Sequence, residues 1–525
     1  MTGILKIVTT TDFGADCDDQ KAVSDGIEAL APGEEMAFIV SGPHPALAGA
    51  AIAEKYFLKT GHYPLIGLGK QFEDDKRPEN QIYSLVDGAP MVDKTIPATF
   101  LSPEDFQRAV DAQIRAGSVK TLEAVVLAPL HSPLEYYNPT REELQDDHAF
   151  HEKWARVTKT STTQFQRTDD GHYKGNNYLK SGPGVADGFL RMLQDQGVEA
   201  LFFDGAVAKL PEFLMCVEQA NHPGLQRSFE AYIATMQVPW LYMTGANGET
   251  PSADIMHAGM FTAGASFPFG VHVANGTPAG FGLDRALKEI CAITPQDTEK
   301  YAAAKKPLTN ELEAFDLQVL KKLRETNPEI ATVADMRAEM HRGMMDALQR
   351  FAQRTGVCAE GETVASFTDL FARAKQNGVK LNPYNYMEPF TEELYHASPV
   401  TKAVTEIAAI EINTPRADGK SHTATLASAL AEQGARATVY DAVAVAAGIA
   451  VRSSPELKNW FAETTPEGQV ILNITQTRVE KLKNSDSRLY ATLRDGVTRI
   501  LAADGSALAG MSAPKAAANA SQPKP

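Results

Sequence analysis

The chain has 525 residues, 43% of them hydrophobic, and a formal charge of −16. That length supports a large core or two domains. The acidic balance argues against nucleic-acid backbones and anionic membranes as partners, because both need clustered Lys and Arg. The four cysteines, Cys17, Cys216, Cys291 and Cys358, show no CxxC spacing, so neither a disulfide framework nor a zinc site is implied and reduced thiols in a cytosol are the simplest reading. The first residues lack the basic and apolar regions of a secretory signal. No apolar run of about 20 residues marks a membrane span. The expected location is therefore cytoplasmic, with export that needs no N-terminal signal left open.

Taken in order, the run Ile4-Leu5-Lys6-Ile7-Val8 predicts a buried strand that ends in the acidic loop Asp12-Phe13-Gly14-Ala15-Asp16-Cys17-Asp18-Asp19. A helix is expected over Ala22 to Leu30, a strand over Met36 to Val40, a helix over Ala46 to Thr60 and a strand over Pro64 to Gly69. Lys70 to Pro97 is polar and long enough for a functional flap. A helix from Pro103 to Gly117, a strand from Leu122 to Ala128, a helix from Gly184 to Gln194 and a strand from Val198 to Gly205 follow. This alternation predicts an α/β fold with a mainly parallel open sheet flanked by helices.

From Pro211 to Arg436 the pattern turns helical, with Asn310 to Glu325, Ala334 to Thr355 and Val364 to Asn377 behind a Gly-rich stretch from Thr244 to Gly282. The expected organisation is a core in two parts, 1–210 and 437–505, around a mostly helical insertion over 211–436. A strand at Gln469 to Thr475 and a helix at Leu489 to Ala503 close the core. The Ala-, Pro- and Ser-rich tail over 506–525 is expected to be disordered.

Two stretches carry the chemistry. In the first loop, four carboxylates (Asp12, Asp16, Asp18 and Asp19) fall within eight positions at the carboxyl end of a strand, where open α/β sheets place their ligands. Packed carboxylates repel one another and resist burial. A hard divalent cation such as calcium, with six to eight oxygen ligands at roughly 2.3–2.6 Å, answers both costs. A solvated acidic turn that caps the next helix accounts for the same letters. The second stretch is Thr438-Val439-Tyr440-Asp441-Ala442-Val443, where one acid heads an apolar helix. Taken alone, it reads as a carboxylate at a helix N-terminus.

Together, Asp12, Gly14 and the adjacent pair Asp18-Asp19 resemble the acidic signature of the inosine-uridine-type nucleoside hydrolases, in a longer variant with Asp16-Cys17 inserted. Tyr440-Asp441 is similar to the family's late His-Asp motif. Thr60 to Gly67, Val125 to Pro133 and Gly175-Asn176-Asn177 resemble further family segments, so the likeness spans roughly 4–210 and 437–503. The resemblance implies a nucleoside hydrolase-like fold and a Ca2+ site. Its ligands would be Asp12, Asp18, Asp19, Asp441 and the Leu130 carbonyl, and Asp18 would also take a proton from the attacking water. Asn176 or Asn177 would hold ribose hydroxyls. The implied partner is a small nucleoside-like molecule, and family members are commonly dimers or tetramers, so a homo-oligomer is open. Asp16 is an added acid that reaches the metal or faces solvent.

The departures are Thr10 and Phe13, where the family usually has Asp and Pro, Pro43-His44 in place of a ribose-contacting Asn, and Tyr440 in place of His. They lie mostly on the substrate side of the site. His131, beside the expected carbonyl ligand, is a candidate general acid, since imidazole titrates near neutrality; a loop histidine is the alternative. His44, after the second strand, and Tyr83, in the flap, are candidate substrate contacts. His257 is a further residue that the inserted region could bring over the site. No GxSxG elbow and no phosphate-loop pattern is present. Two functions stay open: a calcium-dependent hydrolase of an N-ribosyl bond, and a catalytically inactive binding module that keeps the fold.

Overall fold

A computed structural model of the protein describes residues 3–10, 17–42, 44–71, 99–130, 157–195, 197–216, 293–294, 296–365, 367–379, 397–400, 402–403 and 436–502. The first half runs β1 (Ile4–Thr10), α1 (Cys17–Glu28), β2 (Glu34–Gly42), α2 (Pro45–Thr60), β3 (Leu65–Gln71), β4 (Phe100–Leu101), α3 (Pro103–Arg115) and β5 (Thr121–Val126). Next come β6 (Val157–Thr163), β7 (Gln166–Arg167), β8 (Tyr173–Lys174), α4 (Asn176–Ser181), α5 (Pro183–Asp195), β9 (Glu199–Phe203), α6 (Gly205–Ala208) and β10 (Met215–Cys216). Three helices lie in the middle region: α7 (Thr298–Thr326), α8 (Val333–Arg354) and α9 (Phe367–Gln376). The chain closes with β11 (Arg436–Ala437), α10 (Tyr440–Ser453), α11 (Pro455–Phe461), β12 (Ala462–Thr464), β13 (Val470–Ile474), α12 (Gln476–Ser485) and α13 (Ser487–Ala502).

Nine strands form one sheet in the order β12-β13-β9-β6-β5-β1-β2-β3-β4. Every pairing is parallel except β12 with β13. The α/β architecture with a mostly parallel sheet is therefore present. Alternation along the strands explains its two layers. In β2, Met36, Phe38 and Val40 join the apolar cluster that includes α1, α2 and α10 on one face, while Ala37 and Ile39 join the cluster that includes α3 and α5 on the other. Both faces are covered, as a parallel sheet requires.

The chain winds outward from β1 through β2 and β3 to β4, then returns to β5 on the other side of β1 and winds outward the opposite way. The strand order thus reverses between β1 and β5. Neighbouring strands at such a point send their connections to opposite faces, which opens a crevice at their carboxyl ends.

One expected boundary moves, and elements appear that the apolar pattern does not mark. The helix α1 starts at Cys17 rather than Ala22, because Asp18 and Asp19 occupy its first turn, where the helix dipole favours carboxylates. Strand β6, Val157–Thr163, has no apolar periodicity and was not expected, yet Thr160, Thr162 and Thr163 are buried inside the sheet. Threonine is β-branched and suits a strand, and Thr162 Oγ1 donates to the Leu201 carbonyl at 3.3 Å. The short α11 and α12 also lie between the expected closing elements, each started by a side-chain cap, Ser454 and Thr475.

Strands β10 and β11 pair antiparallel, Met215 with Ala437 and Cys216 with Arg436, so the residues on either side of 217–435 lie next to each other. Buried side chains of α7, α8 and α9, among them Leu323, Phe351 and Leu370, belong to the same apolar cluster as α1 and α10. The expected flap from Lys70 to Pro97 apart from its first two residues, the whole Gly-rich stretch from Thr244 to Gly282 and the tail lie outside the described residues. No helix among the described residues is long and apolar enough to cross a membrane.

Helix α10 is pinned at its far end. Arg452, in its last turn, donates to Ser161 Oγ at 2.8 Å, the Thr160 carbonyl at 2.9 Å and Glu199 Oε1 at 3.2 Å. Burial pulls the guanidinium below its ordinary pKa, against the opposing pull of Glu199. This anchor fixes the helix axis across the sheet and so fixes where its N-terminus, with Asp441, emerges.

Candidate metal centre

The site builds from the ends of three secondary-structure elements. Strand β1 stops at Thr10, α1 starts at Cys17, and α10 starts at Tyr440. Asp18 and Asp19 lie in the first turn of α1 and Asp441 in the first turn of α10. Each of the three can offer one carboxylate oxygen such that all three lie within 4.8 Å of one another. All are buried, at 3%, 1% and 3% exposure. The sequence separates Asp18 from Asp441 by 423 positions, and the fold brings them into hydrogen-bond contact.

Backbone and side-chain donors orient the acids. Asp18 Oδ1 accepts the Asp19 amide at 2.7 Å, and Asp18 Oδ2 accepts the Asp441 amide at 3.3 Å. Thr10 Oγ1 donates to Asp19 Oδ1. Two helix N-termini therefore converge on the carboxylates, each with a partial positive charge of roughly half a unit. Among the described residues the donor set is oxygen only, the kind that hard cations prefer.

The other expected residues divide. Asp12, Asp16, His131, Tyr83 and His257 lie outside the described residues. Leu130 is buried in the segment after β5, on the far side of the strand-order reversal from β2. That segment is tied to β1 by the Leu127 amide, which donates to the Thr9 carbonyl at 2.9 Å. His44 occupies the N-cap position of α2, beyond the carboxyl end of β2, and is half-buried. Tyr440 is buried at 5% exposure, with Lys209 Nζ 5.9 Å from its ring centroid.

Asn176 is half-buried at the start of α4, and Asn177 is buried beside it. The Asn177 amide nitrogen donates to the Thr163 carbonyl at 3.0 Å and to Thr163 Oγ1 at 3.3 Å. Its own carbonyl accepts from Ser181 Oγ at 2.5 Å, and Ser181 Oγ in turn accepts the Leu130 amide at 2.8 Å. This chain of bonds ties the end of β6 to the segment after β5. Asn177→Ala should cost about 2 kcal/mol, because it leaves a buried carbonyl without its donor; the midpoint of chemical denaturation measures it.

Sequence reasoning missed Ser181 and treated Thr10 only as a departure. The signal for Thr10 was its place: the last residue of a buried strand, directly before the acids. Nothing in the letters pointed to Ser181, whose partner lies 51 positions away. No protein-family model, curated protein or solved structure matches the chain.

Proposed function

We propose that the protein is a metal-dependent hydrolase that cleaves the N-glycosidic bond of a nucleoside or related ribosyl compound. The observation that carries this reading is the meeting of Asp18 and Asp19 with Asp441 at the carboxyl end of β1, where the strand order reverses. The acidic pattern of the first loop and the late Tyr440-Asp441 pair supplies the expectation, and their spatial convergence supports it.

Asp18, Asp19 and Asp441 would hold a calcium ion, joined, as the resemblance implies, by Asp12 and the Leu130 carbonyl. A bound calcium supplies neutralisation of the buried charge and lowers the pKa of water at the site. Asp18, fixed by two backbone N–H groups, is the group placed to accept a proton from the attacking water. The remaining carboxylates favour the positive charge that develops on the sugar as the bond to the base breaks. Tyr440 stands next to Asp441 in the α10 first turn and is the hydrogen-bond donor nearest in sequence to the acids at that end.

A second reading is favoured by one observation. Asp18 accepts two backbone N–H groups at converging helix ends, so part of the charge is met without a cation. That suits an inactive binding module. The deciding experiment incubates the protein with calcium and a panel of nucleosides, nucleotides and dinucleotides and measures released base. Hydrolysis is expected, with Asp18→Asn slower by about a thousandfold, within the usual range for loss of a general base. Release of no base from any of them would leave the binding module.

A further inference from the structure

We propose that Gln164 is a ligand-contacting residue of this site, with its side-chain amide hydrogen-bonding a hydroxyl or amide group of the bound small molecule. This rests on the reading of the site as one for a small ribosyl compound. Gln164 follows the carboxyl end of β6, and it is the one non-glycine among the described residues with a positive φ, 51°. The chain turns there. Thr163 pairs parallel with Phe203, and Phe165 then pairs antiparallel with the same residue.

Such a turn is cheapest for glycine, with Asn and Asp next, and costs a longer side chain. The Gln164 backbone is held in this shape from both sides. Its carbonyl accepts the Asn177 amide at 3.1 Å, and the Phe165 amide donates to the Phe203 carbonyl at 3.1 Å. Gly175, at φ 126°, lets the chain pass so close that a Cβ there would stand 2.1 Å from the Gln164 oxygen.

The side chain gains nothing local to offset that cost. It is half-buried and makes no hydrogen bond to any described residue. It lies beside Tyr440 instead: a Cβ on Gly205 would be 3.4 Å from Gln164 Cγ and 3.3 Å from Tyr440 Cδ1, so the two side chains flank one glycine. Tyr440 in turn precedes Asp441 of the acid cluster. A strained backbone, an available amide and a place beside Tyr440, the residue before Asp441, together point to a ligand contact. A turn alone would be served better by glycine.

The test compares wild type with Gln164→Gly and Gln164→Leu in the calcium-loaded full chain. Gln164→Gly relieves the backbone, so its melting temperature rises, while KM for inosine rises about tenfold, the weight of one neutral hydrogen bond. Gln164→Leu raises KM likewise, and calcium affinity is unchanged in both variants. Wild-type KM in both variants overturns the proposal. If the wild type hydrolyses no nucleoside, the hydrolase reading fails separately, and the Gln164 contact is read from ribose binding by calorimetry. Weaker binding in both variants supports it; equal binding, or no ribose binding to the wild type, overturns it.

Discussion

Calcium added to chelator-stripped protein at about a hundred times its dissociation constant should raise the unfolding free energy by about 2.7 kcal/mol, and Asp441→Asn should erase most of that gain. The geometry sets a second, opposite effect. Three buried carboxylates with oxygens within 4.8 Å of one another repel when no cation is present. At an effective dielectric constant of about 20, each ionised pair at that spacing costs on the order of 3 kcal/mol before the helix dipoles and N–H donors offset it. Asp441→Asn removes one charge and keeps the shape. The variant should therefore melt higher than wild type in chelator and lower than wild type in calcium. Calorimetry in the two buffers reads both signs at once. If the acids serve only as helix-end partners, the substitution lowers stability in both buffers and calcium shifts neither.

Breaking the Lys21–Asp25 pair should destabilise the protein by roughly 3–5 kcal/mol, since it leaves one buried charge alone. The two side chains are 5% and 8% exposed, and Lys21 Nζ lies 2.5 Å from Asp25 Oδ1 one turn along α1. The second oxygen of Asp25 is buried with no hydrogen-bond partner among the described residues. Asp25→Ala is the variant that carries the full loss. The double variant Lys21→Met with Asp25→Asn removes both charges, nearly keeps volume and should recover most of it. Denaturation midpoints of the three proteins separate the cost of an orphaned charge from loss of packing.

The same carboxyl makes stability depend on pH. Burial pushes Asp25 from 3.8 up to about 6, against the pull of the Lys21 charge and hydrogen bond and, further off, Lys55. The folded state then binds this proton more tightly than the unfolded chain does. Its contribution is full below about pH 4 and is lost as the pH rises through about 6, a change on the order of 3 kcal/mol. Glu28 and Glu199 act in the opposite sense. Burial alone would raise both, but the lysines at Glu28, and Lys458 with Arg452 at Glu199, hold them low. Their contributions are present above their unfolded values and fade as the pH falls. Melting curves from pH 4 to 7 for wild type and the double variant isolate the Asp25 part, which should be absent from the latter.

Much of the core was legible in the letters because its strands are apolar and its helices amphipathic. Ile4 to Val8, Met36 to Val40 and Ala46 to Thr60 are runs whose burial follows from composition and period. The Thr-rich β6 was not legible. Its threonines are buried by the strands on either side, and a polar run carries no mark of that fate. The candidate site divides in the same way. Asp18 and Asp19 were visible as acids just after an apolar strand, and Asp441 as an acid at the head of an apolar helix. Whether they meet was not.

The sequence by itself determined the alternation of strands and helices and which residues could act as hard-cation ligands, because both depend on local pattern and residue type. Tertiary structure alone decided three things: that β1 neighbours both β2 and β5, that Asp441 arrives beside Asp18, and that the Asn177 amide is bound to Thr163. Each depends on contacts between residues far apart in the chain. Such contacts follow from how buried faces stack, and no single window of residues contains them.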